Sequence, residues 1–258
     1  MSHWFSILEL DATHPEAAEA LHERQRLMRG GRLSDHAWLW RLFSPDAQAT
    51  RDFLFRRIER ADGSSREAFR YYLVSAREPV LVHPAWQLRT RAYDPAIAEG
   101  AQLEFEVRVN PVVTINRVRH DVVMHAKRKL CEAAGAESWS ALVKSGHPEA
   151  AVPGAQFVSD RVAEWVLGAP GRPGFAERNG FSISCDGSGV PVLRVDAYAR
   201  HALTDKARGA SITTVDLRGA LEVRDAERFR HALLNGIGHG KVYGCGLLLV
   251  RPAFDQAG

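Results

Sequence analysis

The sequence predicts an α+β chain built from two copies of a β-α-β-β-α-β unit, and three observations carry that expectation. Short segments with a two-residue apolar period recur in both halves. Amphipathic segments bounded by helix start and stop residues stand between them. A stretch rich in Pro, Gly and acid at 94–100 separates the halves, so domains are expected at 1–93 and 101–254. With 258 residues, 45% of them hydrophobic, the chain is long enough to bury a core in each half.

In the first half, residues 4–10 set Trp4, Ser6 and Leu8 against Phe5, Ile7 and Glu9, which predicts a strand. Pro15 opens a helix that runs to residue 29 and is stopped by Gly30-Gly31. Arg24, Arg26, Arg29 and Arg32 make a local basic cluster there, either a solvated face or a phosphate contact. Ser34 or Asp35 can cap a second, short helix carrying His36, Trp40 and Phe43; His36 and Trp40 are one turn apart and therefore neighbours. Residues 52–58 and 69–76 form an expected hairpin around Gly63-Ser64-Ser65, and 86–93 a further strand.

The second half begins with a clean alternation of Leu103, Phe105, Val107 and Val109 against Glu104, Glu106, Arg108 and Asn110. Residues 117–129 are the most basic segment, and phosphate contact and a solvated stretch explain them equally well. A helix is expected over 156–168, with Phe157, Val162, Trp165 and Val166 as its apolar side. Two β-rich runs, 190–199 and 211–223, flank a tip where Arg200, His201, Lys206 and Arg208 face only Asp205. A basic β-ribbon is slim enough to enter a nucleic-acid groove. Asp225 then caps a last helix, which ends at Gly236, and 247–250 reads as the final buried strand.

Residues 236–246 hold five glycines in eleven positions, with Gly236, Ile237, Gly238 echoed by Gly244, Cys245, Gly246. Glycine admits positive φ and close approach of a partner to the main chain, and successive exposed N–H groups can cradle phosphate. The stretch is not a nucleotide P-loop, because Gly240-Lys241 is followed by Val242 and the order is helix, loop, strand. A helix C-cap at Gly236 running into a tight turn is the competing reading.

Composition narrows the classes. A formal charge of +3 permits a nucleic-acid partner without requiring one. Three scattered cysteines with no paired spacing, and no secretory leader, point to a reduced, cytoplasmic chain. No apolar run approaches the roughly 20 residues of a membrane span, and the histidines and cysteines lack zinc-ligand spacing.

Five segments together resemble the CasE (Cse) family of CRISPR-associated endoribonucleases: DHAWLWRLF at 35–43, RDFLF at 51–55, VNPVVT at 109–114, ASITTVDLRGALEV at 210–223 and GIGHGKVYGCGLL at 236–248. They occur in family order across nearly the whole chain. The resemblance implies two tandem ferredoxin-like (RRM-like) domains. It also implies binding of a CRISPR repeat stem-loop and metal-independent cleavage of the precursor transcript at the stem base, with retention as a subunit of the type I-E Cascade complex. No cofactor is implied, and no metal. By alignment through the Trp-x-x-Phe that follows, His36 takes the position of the family's catalytic histidine. Lys206, Arg208 and Lys241 are then candidates to meet charge on the phosphorane, and Tyr243 and His239 for the acid. Expected RNA contacts are Lys206, Arg208, Arg200, His201, Gly236, Gly238, Gly244, Arg24 and Arg32. One departure stands out: some members carry a tyrosine three residues before the histidine, where this chain has Leu33. A non-cleaving stem-loop binder of the same complex is the alternative this raises.

Overall fold

The computed structural model describes residues 3–28, 34–43, 52–59, 69–203 and 210–253. It divides into two compact units. The first comprises Met1–Ala96, His201–Ile212 and Arg230–Leu248, and the second Ile97–Arg200, Thr213–Phe229 and Leu249–Gly258. The linear boundary expected between residues 93 and 101 is therefore incomplete, because the glycine-rich stretch of the second half belongs to the first unit.

The first unit contains β1 (His3–Leu10), α1 (Ala17–Met28), α2 (Ser34–Leu39), which runs into a 3-10 turn at Trp40–Leu42, and then β2 (Phe53–Glu59), β3 (Phe69–Ser75) and β4 (Trp86–Tyr93). The strands form an antiparallel sheet in the order β2-β3-β1-β4, the ferredoxin-like order. Alternation decides which side chains are buried. Leu8, Phe53, Phe55, Tyr71 and Leu73 pack with Trp38, Leu39, Leu42 and Phe43 in one core, whose members are all nearly inaccessible. The hydroxyl of Ser6, buried on the central strand, is paired with that of Thr90 at 3.0 Å. The helix that a full β-α-β-β-α-β unit carries between its third and fourth strands is absent here: residues 76–85 link β3 to β4 without one, held by the Val80 amide donating to the Leu42 carbonyl at 2.7 Å.

The remaining elements are β5 (Gln102–Val109), the hairpin of β6 (Val112–Ile115) and β7 (Val118–Asp121), and helices α3 (Val122–Ala133), α4 (Trp139–Lys144), α5 (Pro148–Ala151) and α6 (Gly154–Leu167). A small ribbon of β8 (Gly168–Ala169) and β9 (Arg172–Pro173) leads to α7 (Phe175–Arg178), followed by β10 (Phe181–Ile183), β11 (Leu193–Ala202), β12 (Ser211–Val223), α8 (Ala226–Asn235) and β13 (Leu249–Pro252). Their sheet runs β10-β12-β5-β13, with β11 on β12, again the ferredoxin-like order. Much of the basic stretch 117–129 is thus regular structure. Asp121 caps α3 by accepting from the amides of Val123 and Met124, each at 2.9 Å. The tip between β11 and β12, with Lys206 and Arg208, lies outside the described residues, as do Arg32 and Leu33. Among the described residues no helix is long and apolar enough to cross a membrane.

Candidate active site

Asp35 opens α2, and its carboxylate is clamped from three elements. Arg24 of α1 donates to Oδ1 at 2.9 Å, Arg57 of β2 donates to Oδ2 at 3.1 Å, and the Tyr71 hydroxyl of β3 donates to Oδ1. Arg24 also donates to the Tyr71 oxygen from Nε at 3.0 Å and from a terminal nitrogen at 2.7 Å. Burial first, and then the adjacent Asp35 charge, push the Tyr71 phenol far up and keep it protonated as a donor. Charge-assisted bonds of this kind fix geometry strongly, so the first turn of α2 is pinned to the sheet.

His36 follows directly and is half-buried. Its ring stacks on Phe53, with centroids 5.0 Å apart and planes 16° apart, and Trp40 and Phe55 flank it at 5.5 and 6.4 Å. Phe53 is itself backed by Phe43 at 4.9 Å. Arg77, paired with Asp52 at 2.5 and 3.0 Å, lies over the Phe43 ring. The imidazole therefore sits on an aromatic wall that restricts it to a few orientations.

The glycine-rich stretch reaches the same strand. A Cβ on Gly236 would lie 2.8 Å from the Leu54 side chain, and one on Gly244 would lie 3.1 Å from the Phe55 ring. Both residues also have positive φ, 74° and 77°, where a side chain is strained. Close packing on β2 thus accounts for these two glycines, and it sets the 3-10 turn Lys241–Tyr243 against α2 and β2. Lys241 Nζ donates to the Asn235 carbonyl at 2.6 Å, capping the end of α8. The Tyr243 hydroxyl is buried with no hydrogen-bond partner among the described residues.

These placements bear on three of the expected RNA contacts. Arg24 is 4% exposed and its guanidinium is engaged inside the unit, so it offers no surface to RNA. The Gly236 amide donates to the Ala232 carbonyl at 2.9 Å and the Gly244 amide to that of Lys241 at 3.2 Å, which closes the helix and the turn and leaves neither amide for a phosphate. Gly238 and His239 are exposed, as is Arg200 on β11, whereas His201 is half-buried. The Asp35 network is not visible in the sequence because its partners lie 11, 22 and 36 residues away; locally Asp35 reads as a helix-capping acid beside His36.

The sequence pattern of the family described as "CRISPR associated protein" matches residues 3–252. The chain belongs to this family. The CRISPR system Cascade subunit CasE of Escherichia coli (strain K12) is 27% identical over 219 residues, covering 84% of this chain and 90% of that protein. Among solved structures, CRISPR endoribonuclease Cse3 bound to a 19-nt RNA superposes with a TM-score of 0.61 at 20% identity, covering 98% of this chain and 100% of that one. Thermus thermophilus Cse3 bound to an RNA representing a pre-cleavage complex gives 0.61 at 21% identity with the same coverage. Cas6e from E. coli str. K-12 gives 0.54 at 18% identity, covering 97% and 100%. These likenesses extend across both units and agree in fold with the two ferredoxin-like sheets.

Proposed function

We propose that the chain is a cytoplasmic, metal-independent endoribonuclease that binds the stem-loop of a CRISPR repeat, cuts the precursor transcript at the base of the stem and remains on the product as a Cascade subunit. The observation that carries this reading is the meeting of His36 and the Lys241–Tyr243 turn on one strand, β2, through Phe53, Leu54 and Phe55. The names of the curated relative and of the RNA-bound solved relatives support the substrate class and the assembly.

The chemistry follows from what RNA offers. The 2′-hydroxyl beside the scissile phosphate attacks phosphorus and the 5′-oxygen leaves, giving a 2′,3′-cyclic phosphate and a 5′-hydroxyl. One group must take the 2′ proton and another must give a proton to the 5′-oxygen. An imidazole does either near neutral pH, and each such transfer contributes about 10²–10⁴-fold. His36 is assigned one of these transfers. Lys241 faces the negative charge that grows on the phosphorane, its ammonium already fixed by the Asn235 carbonyl. Tyr243 and His239 are the candidates for the second proton.

An A-form stem hides base edges in its narrow major groove, so the grip falls on shape and phosphates. The β11–β12 tip, with Arg200, His201, Lys206 and Arg208, is assigned that contact, and Gly238 offers exposed backbone to the RNA. Leu33 in place of the tyrosine found in some members favours a second reading, a subunit that caps the stem-loop without cutting it. Incubation with repeat RNA in EDTA, followed by mass analysis of the fragments, separates the two. A 2′,3′-cyclic phosphate end at the stem base supports the first; intact, tightly bound RNA overturns it in favour of the second.

A further inference from the structure

The second unit contains a cleft of about 320 Å³ between α3, α6 and the β8–β9 ribbon. Among the described residues, four cationic side chains line it, Lys129, Arg161, Arg172 and Arg178, against the single carboxylate of Glu164. The cleft is built by close backbone contacts. Gly168 ends α6 at φ 81°, and a Cβ on it would lie 2.4 Å from the Gly174 nitrogen, while one on Gly174 would lie 2.3 Å from the Val166 carbonyl. Only a pair of glycines lets the ribbon fold back so tightly, and that fold holds Arg172 over the end of α6.

Helix α3 sorts the basic stretch 117–129 between two environments. Lys127 turns to the Trp139 ring, 5.0 Å from its centroid. His125 and Lys129, one turn apart, line the cleft. Burial, and then the charges of Arg128, Lys129 and His120, hold the His125 imidazole below its ordinary range, with Glu132 opposing them. From α6, Arg161 is paired with Glu164 at 2.9 Å and, more loosely, with Glu149 at 3.9 Å, so Lys129, Arg172 and Arg178 carry the excess charge. Two buried donors on the lining residues, Trp165 Nε1 and Arg161 Nε, have no acceptor among the described residues. Excess positive charge and donors without acceptors together specify an anion with several oxygens.

We propose that this cleft is an anion site that takes a backbone phosphate of the bound RNA, held by Lys129, Arg161 and Arg172. The inference rests on the reading of the chain as an RNA-binding protein. Such a contact positions the chain on the RNA without reading its sequence.

The test uses the intact chain in two measurements. The first follows the His125 ring by NMR titration, alone, with inorganic phosphate and with repeat stem-loop RNA. A bound phosphate adds negative charge to that of Glu132, so the His125 pKa moves up with either ligand. The second compares the salt dependence of RNA affinity for the wild type and the Lys129→Gln/Arg172→Gln double variant, both positions being exposed and outside the core. The slope of log K against log salt falls by roughly 1 in the variant, the loss of one neutralised phosphate. RNA binding with an unchanged slope and an unmoved His125 titration overturns the cleft assignment alone, whereas a wild-type chain that binds no RNA overturns the functional reading and this inference together.

Discussion

His36 lies face to face with Phe53, 5.0 Å between centroids, while Asp35 immediately before it is bound by Arg24, Arg57 and Tyr71. One residue of α2 is thus tied to the sheet by charge and the next leans on it through an aromatic face. The backbone between them has little freedom, which suits the proton transfer proposed for His36.

Removing the Asp35 carboxylate leaves the Arg24 guanidinium, whose side chain is 5% exposed, without its counter-charge. Breaking such a buried pair from one side costs on the order of 3 kcal/mol. Asp35→Ala is expected to lower the urea midpoint accordingly. Tyr71→Phe, which retains the ion pair and loses only the hydroxyl, is expected to cost less.

Gly236→Ala places a methyl group 2.8 Å from Leu54 and 3.0 Å from the Gly246 carbonyl, at φ 74°. The left-handed conformation alone costs about 1–2 kcal/mol for a residue with a Cβ. Thermal unfolding is expected at a lower temperature than wild type. Cleavage is expected to slow as well, because the turn bearing Lys241 is seated by that contact.

Lys241→Ala removes a cation assigned to the phosphorane rather than to the ground state. Single-turnover cleavage at saturating protein is expected to fall by about 10²-fold, with a much smaller change in RNA affinity. Equal losses in affinity and rate would reassign Lys241 to binding.

Arg208 is assigned to the stem's phosphates, so Arg208→Ala is expected to weaken binding of different stem-loops of similar shape by similar factors and to flatten the salt dependence. Competition binding with two unrelated stems of equal length checks it. A change in preference between the stems would point to base readout.

Much of this was legible in the sequence because it is local. Alternation at 4–10 and 102–109 and the β-rich run at 211–223 specified strands. Asp225 before an amphipathic run specified a helix start, and its carboxylate indeed accepts from the Arg228 amide at 2.9 Å. What stayed hidden depends on partners distant in the chain. Arg24 reads like any helix arginine until Tyr71 and Asp35 are brought to it. Gly236 and Gly244 read as a phosphate cradle until Leu54 and Phe55 fill the space where their side chains would be. A full β-α-β-β-α-β unit carries a helix between its third and fourth strands, but the link between β3 and β4 has no strong helical period and forms none.

The most direct test is the cleavage rate of repeat stem-loop RNA at saturating protein in EDTA, for the wild type and His36→Ala side by side. The account predicts size-specific cutting by the wild type and, for the variant, intact RNA bound with near wild-type affinity. Cutting at the same position and rate by His36→Ala would contradict it.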